Sequence, residues 1–335
     1  MATTSKFRGA LIGVLVGDCF GAPFERISAN PASVLEIIER MSKDEQNVLS
    51  YTDDTAMTIA TCESLIRNKG LDSRDLSKEY SETYFKDPNR GYGAAVRTVF
   101  KSLETSKFQD PYGPAASQFN GSGSFGNGAA MRCAGVGLFA NKTGLDEQKT
   151  IDLTEKCSRI THSHKHGLNG ANLIILAQMD LLNMDPDSLD ETKFLESLIS
   201  RISKYEESNN RVYSDKLKSI LGVIERLNIS GLDINQSEIV SLLGNDVAAQ
   251  NSVPLAIYSF LRGVSKFTDS YKIDNEFLRT LHWAISCGGD TDTIASMACG
   301  LCGAYLGIER IPADLYKRCE AHQKVLSLAD KILAL

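Results

Sequence analysis

The amino-acid sequence predicts a fold that is built almost entirely from α-helices. Apolar residues recur at intervals of three and four in segment after segment, for example over residues 56–66 and 194–202. Only the short run 47–51 resembles a β-strand. Because strands do not alternate with helices, the pattern argues against doubly wound sheets and α/β barrels.

Capping residues and prolines indicate where the helices begin and end. Helix starts are predicted after Asn30, Thr52, Ser73 and Ile311, where a capping side chain or a proline precedes a helical pattern. The eight prolines, at positions 23, 31, 88, 111, 114, 186, 254 and 312, are interpreted as helix starts or breaks between helices. The longest irregular stretch, 105–128, ends in the glycine-rich sequence NGSGSFGNG, and such a long loop in a compact domain is usually functional.

Length and charge restrict the classes of function. A chain of 335 residues can bury a large core without disulfides or a structural metal. No Pro/Ser-rich linker divides it, so we expect a single domain over residues 1–335. The 36 Lys and Arg residues against 42 Asp and Glu give a net charge of −6, which argues against binding to nucleic acids or to anionic membranes. An anionic ligand must therefore be held by local features.

The start of the chain, MATTSKFRGAL, resembles neither a signal peptide nor an Arg-rich transit peptide. We therefore expect a cytoplasmic and nuclear protein, with the mitochondrial matrix as an alternative for which no presequence is visible. The apolar stretch 10–24 is interrupted by Asp18 and is expected to be too short to cross a bilayer. Without export, the eight cysteines should be reduced, buried thiols.

Four glycines recur every four residues in the first predicted helix: Gly9, Gly13, Gly17 and Gly21. They create one smooth face, which predicts close packing against a neighbouring helix. Because two of these glycines flank Asp18 and the chain then leads to Glu25, the end of this helix is also a candidate edge of a functional site.

Two short acidic motifs indicate a metal site. The sequences TDDT at 52–55 and GGDTDT at 288–293 each open an apolar helix. Helix capping is the alternative, but one such residue is enough for a cap, and adjacent aspartates repel each other. Carboxylate and hydroxyl oxygens are the ligands of hard divalent cations. If both motifs converge with Glu25, five carboxylates share one pocket, and two Mg²⁺ ions would nearly neutralise them.

The glycine-rich loop predicts an anion-binding site. Gly121, Gly123 and Gly126 match the dinucleotide-binding pattern GxGxxG, but the preceding DPYGPAASQFN is not a buried strand, and no Walker motif is present. Glycines still allow successive backbone amides to face an anion, and a helix expected from about Gly128 would add its positive end. A flexible loop without a ligand is the alternative.

The histidines and cysteines give little support for a transition-metal site. His162, His164 and His166 alternate in THSHKHG, but no carboxylate or cysteine nearby completes a ligand set. Cys299 and Cys302 form the sole CxxC pair. For His162 we prefer a contact with a ligand or a role at the start of a helix.

Six motifs resemble those of the ADP-ribosylglycohydrolase family, in the same order along nearly the whole chain. They are GxxxGDxxGxxxE at 13–25, YTDDT at 51–55, RGYG at 90–93, GSFGNGAAMR at 123–132, THS at 161–163 and GGDTDT at 288–293. The resemblance implies an all-α, orthogonal multi-helix bundle with a binuclear Mg²⁺ site at helix N-termini.

The resemblance also implies roles for individual residues. Two Mg²⁺ ions per chain would be held by Thr52, Asp53, Asp54, Asp290, Asp292 and Thr293, with Asp292 bridging them. Glu25 would be the mobile catalytic glutamate. The substrate would contact Gly91, Phe119, Gly123, Ser124, Phe125, Gly126, Asn127 and His162. Adenine would lie between Phe119 and Phe125, where we expect tyrosine at position 125 in the nearest relatives; stacking survives that change, but a hydroxyl contact does not.

The activity implied by the resemblance is Mg²⁺-dependent hydrolysis of the O-glycosidic bond at the anomeric carbon of ADP-ribose. The substrates would be serine-ADP-ribosylated proteins and poly(ADP-ribose), together with O-acetyl-ADP-ribose, and the product would be ADP-ribose. We expect a monomer that binds neither nucleic acid nor membranes. The alternatives are an arginine-specific ADP-ribosylhydrolase of the same fold and a non-catalytic ADP-ribose-binding protein.

Overall fold

The computed structural model describes residues 3–25, 27, 30–231, 234–266 and 271–335, and the regular elements of this part of the chain are helices. The all-α prediction is confirmed. The α-helices are α1 (Thr4–Gly21), α2 (Pro31–Lys43), α3 (Asp53–Asn68), α4 (Ser73–Lys86), α5 (Ala94–Thr105), α6 (Gly113–Ala116), α7 (Ala134–Thr143), α8 (Glu147–Arg159), α9 (Lys165–Asn183), α10 (Glu191–Ile202), α11 (Val212–Ser230), α12 (Gln236–Leu243), α13 (Ala249–Val264), α14 (Glu276–Ser286), α15 (Thr291–Leu306), α16 (Ala313–Tyr316) and α17 (His322–Leu333). Short 3₁₀ turns lie at Ala22–Phe24, Gln118–Gly121, Asn127–Ala129 and Ile308–Arg310.

The predicted helix starts are correct to within one or two residues. The Asn30 side chain caps α2, as predicted. Helix α4 begins at Ser73 itself. The Asp72 carboxylate accepts hydrogen bonds from the main-chain amides of Arg74 and Asp75 and is therefore the better cap. The helix predicted after Ile311 begins at Ala313.

The predictions for the run 47–51 and for Pro254 are wrong. The run 47–51 is not a strand, since Leu49 makes only an isolated bridge with Cys319 in the part of the chain described. Pro254 lies inside α13 and does not break it. A proline at this position deprives the Gln250 carbonyl of its helical partner, but Lys216 Nζ donates to that oxygen at 2.7 Å. The lysine removes part of the usual cost of proline in a helix.

The stretch 105–128 is more regular than predicted. It contains α6 and the 3₁₀ turn Gln118–Gly121, in which Phe119 and Asn120 adopt a left-handed backbone conformation. The helix expected from about Gly128 is only the turn Asn127–Ala129, and α7 begins at Ala134. The glycine-rich sequence is therefore followed by a short turn and not by the N-terminus of a long helix.

Helix α1 packs antiparallel to α15 through its recurring glycines, as predicted. A Cβ atom at Gly13 would overlap the carbonyl oxygen of Cys299, so the two backbones are in direct contact. The same close approach places Gly21, at the end of α1, against Asp292 at the start of α15. The glycine face thereby brings Asp18 of α1 close to Asp292 of α15.

Helix α1 also corrects the prediction about membrane spanning. The segment Thr4–Phe24 has 21 residues and a mean hydropathy of 1.3, so by length and composition it is long and apolar enough to cross a bilayer. However, 83% of an apolar stretch of 18 residues within this segment is buried inside the protein, which is the environment of a core helix. All eight cysteines are buried, unpaired thiols, as predicted.

Replacing Gly13 by alanine should lower the free energy of unfolding by at least about 2 kcal/mol, because the added methyl group forces α1 and α15 apart. Gly222, an exposed glycine of α11 with open space around it, provides the matched control. Gly222→Ala should be slightly stabilising, by about 0.5–1 kcal/mol, since alanine favours the helix. Denaturant unfolding of both variants tests this pair, and equal stabilities would contradict the close packing.

Candidate active site

The predicted site residues meet at a cavity of about 380 Å³, a volume typical of small-molecule sites. Twelve of them line it: Glu25, Asp53, Gly91, Phe119, Ser124, Phe125, Gly126, Asn127, His162, Asp290, Asp292 and Thr293. Three others, Thr52, Asp54 and Gly123, are outside its lining. Segments that are distant in the sequence are thus gathered around one space.

The two acidic motifs come together because α3 and α15 begin side by side. Asp54, in the first turn of α3, accepts hydrogen bonds from Thr293 Oγ1 at 3.3 Å and from Ser296 Oγ at 2.8 Å. Thr52 Oγ1 lies 3.3 Å from the same carboxylate. Asp54 therefore joins the two motifs behind the cavity lining, and it is also held by Ser296, which belongs to neither motif.

Burial and mutual repulsion disfavour the ionised form of these aspartates. Burial raises the pKa of Asp53 and of Asp54 well above the usual range, and the Asp292 carboxylate adds to both shifts. Burial and Asp292 also raise the pKa of Asp290 to about 8, although Asn127 Nδ2 donates to its carboxylate at 2.5 Å. Within the part of the chain described, no lysine or arginine is among the main causes that shift these three pKa values.

A divalent cation would relieve this repulsion, and carboxylate and hydroxyl oxygens are the donors that Mg²⁺ prefers. The donor set therefore fits the predicted metal by its chemistry. Within the described ranges, however, no three His, Cys, Asp or Glu side chains are already gathered in an arrangement that could hold an ion. The two Mg²⁺ ions stay a prediction.

Hydrogen bonds hold the glycine loop, defined as residues 121–128, against the rest of the site. The Asn127 amide donates to the Val247 carbonyl at 2.9 Å. Within the loop, Ser124 Oγ accepts a hydrogen bond from the Gly126 amide at 3.2 Å. Gly123 packs closely on Ser163, behind the cavity lining. These contacts argue against the alternative of a flexible loop.

Two aromatic side chains stand at the cavity. Phe119 and Phe125 leave 54% and 45% of their surface exposed. Their ring centroids are 6.4 Å apart, and the ring planes are inclined by 31°. A flat base between two rings needs a separation of about 7 Å, twice a carbon contact of about 3.5 Å. The pair is therefore close to the spacing that an intervening base requires.

Glu25 lines the cavity from the 3₁₀ turn that follows α1. Its amide donates to the Ala22 carbonyl at 3.3 Å, which closes the turn. Burial and Asp292 are the main causes of the raised pKa of Asp290, and the Glu25 carboxylate adds a smaller contribution. Glu25 is thus close enough to the aspartates to act on the same bound molecule.

The three histidines have different positions. His162 lines the cavity, and its ring lies against Gly126 and Gly128 of the glycine loop. His164 Nδ1 accepts a hydrogen bond from the His166 amide at 3.1 Å and so caps α9. The role at a helix start that we considered for His162 therefore belongs to His164.

Comparison with known proteins gives the family. The family model for ADP-ribosylglycohydrolase matches residues 1–335. The chain belongs to the ADP-ribosylglycohydrolase family. The protein is accordingly a hydrolase of glycosidic bonds of ADP-ribose, as predicted.

Relatives of this ADP-ribosylglycohydrolase are similar over nearly their full length. The ADP-ribosylhydrolase ARH3 of Mus musculus is 40% identical, with 98% of this chain and 91% of the relative covered. The ADP-ribosylhydrolase ARH3 of Homo sapiens is 38% identical, with 98% and 93% covered. A solved ADP-ribosylglycohydrolase-related protein complex is 19% identical, with a TM-score of 0.66 and 99% and 98% coverage, and supports the fold.

In this ADP-ribosylglycohydrolase, Asp18 has a structural role that the sequence did not reveal. Its buried carboxylate accepts hydrogen bonds from the Thr52 amide and Oγ1 at 2.9 and 2.8 Å, and from the Thr55 amide at 2.9 Å. Thr52 itself makes no side-chain capping bond. Asp18 therefore caps α3 from a different helix. The available signal was its position between Gly17 and Gly21.

The segment 245–248, between α12 and α13, is a second part of the candidate site that the sequence did not indicate. The Asn245 carbonyl accepts a hydrogen bond from the Asp290 main-chain amide at 2.9 Å. The side-chain Nδ2 of Asn245 donates to the Cys287 carbonyl at 2.9 Å. Gly289 has a φ of 77°, and a Cβ there would overlap the Asn245 carbonyl oxygen. In the same segment, the Val247 carbonyl accepts a hydrogen bond from the Asn127 main-chain amide. The segment therefore connects the glycine loop to the second acidic motif.

Proposed function

We propose that this protein is a Mg²⁺-dependent hydrolase that releases ADP-ribose from serine-modified proteins, from poly(ADP-ribose) and from O-acetyl-ADP-ribose. One observation carries the proposal: a single cavity is lined by Asp53, Asp290 and Asp292, by the glycine loop and by the aromatic rings of Phe119 and Phe125. The mouse and human relatives are named ADP-ribosylhydrolases, which supports the same ligand.

The glycine loop and the aromatic pair would hold the nucleotide part of the ligand. Adenine would lie between Phe119 and Phe125, which are both partly exposed at the cavity and have ring centroids 6.4 Å apart. The loop amides that are not already bonded within the protein, with Ser124, would face the diphosphate, and Asn127 would border it while donating to Val247 and Asp290. Backbone amides suit a protein with a net charge of −6, because they attract an anion locally without a basic surface.

The acidic part of the cavity would hold the ribose and the bond to be cleaved. The proposed Mg²⁺ ligands are Thr52, Asp53, Asp54, Asp290, Asp292 and Thr293. Bound Mg²⁺ would supply Lewis-acid stabilisation of charge on oxygen atoms. Glycosidic cleavage passes through an oxocarbenium-like transition state, and the reaction needs a group that takes a proton from water. Glu25 would take that proton, since its carboxylate lines the same cavity.

Hydrolysis of two matched peptides, one ADP-ribosylated on serine and one on arginine, tests the proposal. We expect release of ADP-ribose from the serine-linked peptide with Mg²⁺ and loss of this activity in EDTA. Preferential cleavage of the arginine-linked peptide would favour the arginine-specific alternative. Binding of ADP-ribose without turnover of either peptide would favour the non-catalytic alternative, and full activity in EDTA would contradict the Mg²⁺ requirement.

Replacing Phe125 by alanine should weaken ADP-ribose binding by about 1–3 kcal/mol, the usual contribution of stacking between a base and an aromatic ring. Isothermal titration calorimetry measures the effect. Phe125→Tyr should bind as well as the wild type or better, because the ring is retained. Phe85→Ala, which removes an exposed phenylalanine outside the cavity, is the matched control. Equal affinity of Phe125→Ala and wild type would contradict this position for adenine.

A further inference from the structure

Arg132 borders the cavity but directs its guanidinium into the protein. The side chain is only 3% exposed. Its Nε donates to the Tyr80 hydroxyl at 3.0 Å, its Nη1 to the Gly128 carbonyl at 2.7 Å, and its Nη2 to Thr161 Oγ1 at 2.7 Å. The guanidinium also lies over the Tyr80 ring, 4.7 Å from the centroid. These contacts use its hydrogen-bond donors within the protein, and one of them orients Thr161.

The bond from Arg132 determines the direction of the next hydrogen bond. An arginine can only donate, so Thr161 Oγ1 is the acceptor. Thr161 is fully buried, and among the described residues its hydroxyl contacts Arg132 and, at 2.7 Å, His162 Nδ1. The hydroxyl has one proton, and an unpaired buried donor is unfavourable, so this proton goes to Nδ1. His162 Nδ1 is therefore an acceptor, and a neutral ring carries its own proton on Nε2.

The surroundings also keep the ring neutral. Burial lowers the pKa of His162 to about 3, and the Arg132 guanidinium acts in the same direction. The Nε2 atom lies beside Gly126 and Gly128, both of which line the cavity. The N–H group is thus placed at the glycine loop, where the ligand would bind.

We propose that Arg132 and Thr161 are positioning residues that keep His162 as a neutral hydrogen-bond donor, with its Nε2–H available to a phosphate or hydroxyl oxygen of the ligand. This inference rests on the proposed function for the identity of the ligand, whereas the tautomer is a property of the free protein. A donor fixed before binding does not have to be ordered by the ligand, which favours affinity.

Nitrogen-15 NMR of the ligand-free protein tests the tautomer directly. The chain has five histidines, so the His162 signals can be assigned by their loss in His162→Ala. We expect a protonated Nε2 and an unprotonated Nδ1 at pH 7. A proton on Nδ1, or on both ring nitrogens, would overturn the proposal.

A double-mutant cycle measured by ADP-ribose titration tests whether Thr161 acts through His162. Thr161→Val should weaken binding about tenfold, the effect of about one hydrogen bond. His162→Ala should weaken binding at least as much. The double variant should bind no more weakly than His162→Ala, because the threonine then has no ring to orient. If Thr161→Val weakened binding as much in the His162→Ala background as it does in the wild type, the positioning role would be overturned.

Two variants control for general damage. Thr161→Ser keeps the hydroxyl and should restore binding. Thr154→Val removes another buried hydroxyl, which donates to the Thr150 carbonyl in α8, and should not change the affinity. If the wild type does not bind ADP-ribose, the proposed function fails, but the NMR result still decides the tautomer.

Discussion

Replacing Glu25 by glutamine should slow hydrolysis of a serine-linked ADP-ribose peptide at least about a hundredfold, because groups that transfer protons typically contribute about 10²- to 10⁴-fold. Glutamine keeps the shape of the side chain but cannot take up a proton. Glu25 follows the 3₁₀ turn Ala22–Phe24, whereas the four aspartates of the acidic motifs lie at the starts of α3 and α15. The variant should therefore keep its Mg²⁺-dependent stabilisation and bind ADP-ribose within a few-fold of wild type.

Single-turnover kinetics, calorimetry and thermal melting of the same preparation separate the outcomes. Glu196→Gln, which changes an exposed glutamate of α10, is the matched control and should hydrolyse the peptide at the wild-type rate. Loss of Mg²⁺ stabilisation together with activity would make Glu25 a metal ligand. Turnover of Glu25→Gln near the wild-type rate would exclude it as the proton-transfer group.

Replacing Asp292 by asparagine should remove most of the stabilisation by Mg²⁺ without making the metal-free protein less stable. After burial, Asp292 is the largest cause of the raised pKa of Asp53, Asp54 and Asp290, so removing its charge relieves repulsion. In the wild type, Mg²⁺ at a hundred times its dissociation constant should contribute about 2.7 kcal/mol. Thermal melts in Mg²⁺ and in EDTA measure both effects.

The matched control is Asp215→Asn, which changes an exposed aspartate in the first turn of α11. It should show the same Mg²⁺ shift as the wild type. An unchanged shift in Asp292→Asn would remove this residue from the metal site. A reduced shift in the control as well would show that Mg²⁺ acts by general screening and not at the aspartates.

Local patterns in the sequence were sufficient for the fold class and for much of the cavity. The spacing of apolar residues predicts helices because each helix buries one face. The acidic motifs and the glycine loop were recognisable because each carries its functional groups within a few consecutive residues. The glycine face of α1 was predictable for the same reason, since glycine leaves a smooth surface wherever it recurs at helical spacing.

The errors arose where two local preferences competed or a distant side chain intervened. The helical pattern after Ser73 predicts a cap at that residue, but the Asp72 carboxylate accepts hydrogen bonds from two amides and is the stronger cap. The proline at position 254 predicts a break between helices, yet Lys216 satisfies the carbonyl that this proline frees. In the second case the compensating group is more than thirty positions away, so no window of the sequence contains both residues.

The sequence by itself determined that the protein is helical and that its family resemblance extends along the chain, and it predicted that the acidic and glycine-rich motifs form one site. Only the tertiary structure decided how these motifs are held. Asp18 caps α3 from α1, Asn245 holds Asp290 through a main-chain carbonyl, and Arg132 orients His162 through Thr161. Each of these bonds depends on a backbone atom or a buried side chain from another element, and such a partner leaves no periodicity or motif in the sequence.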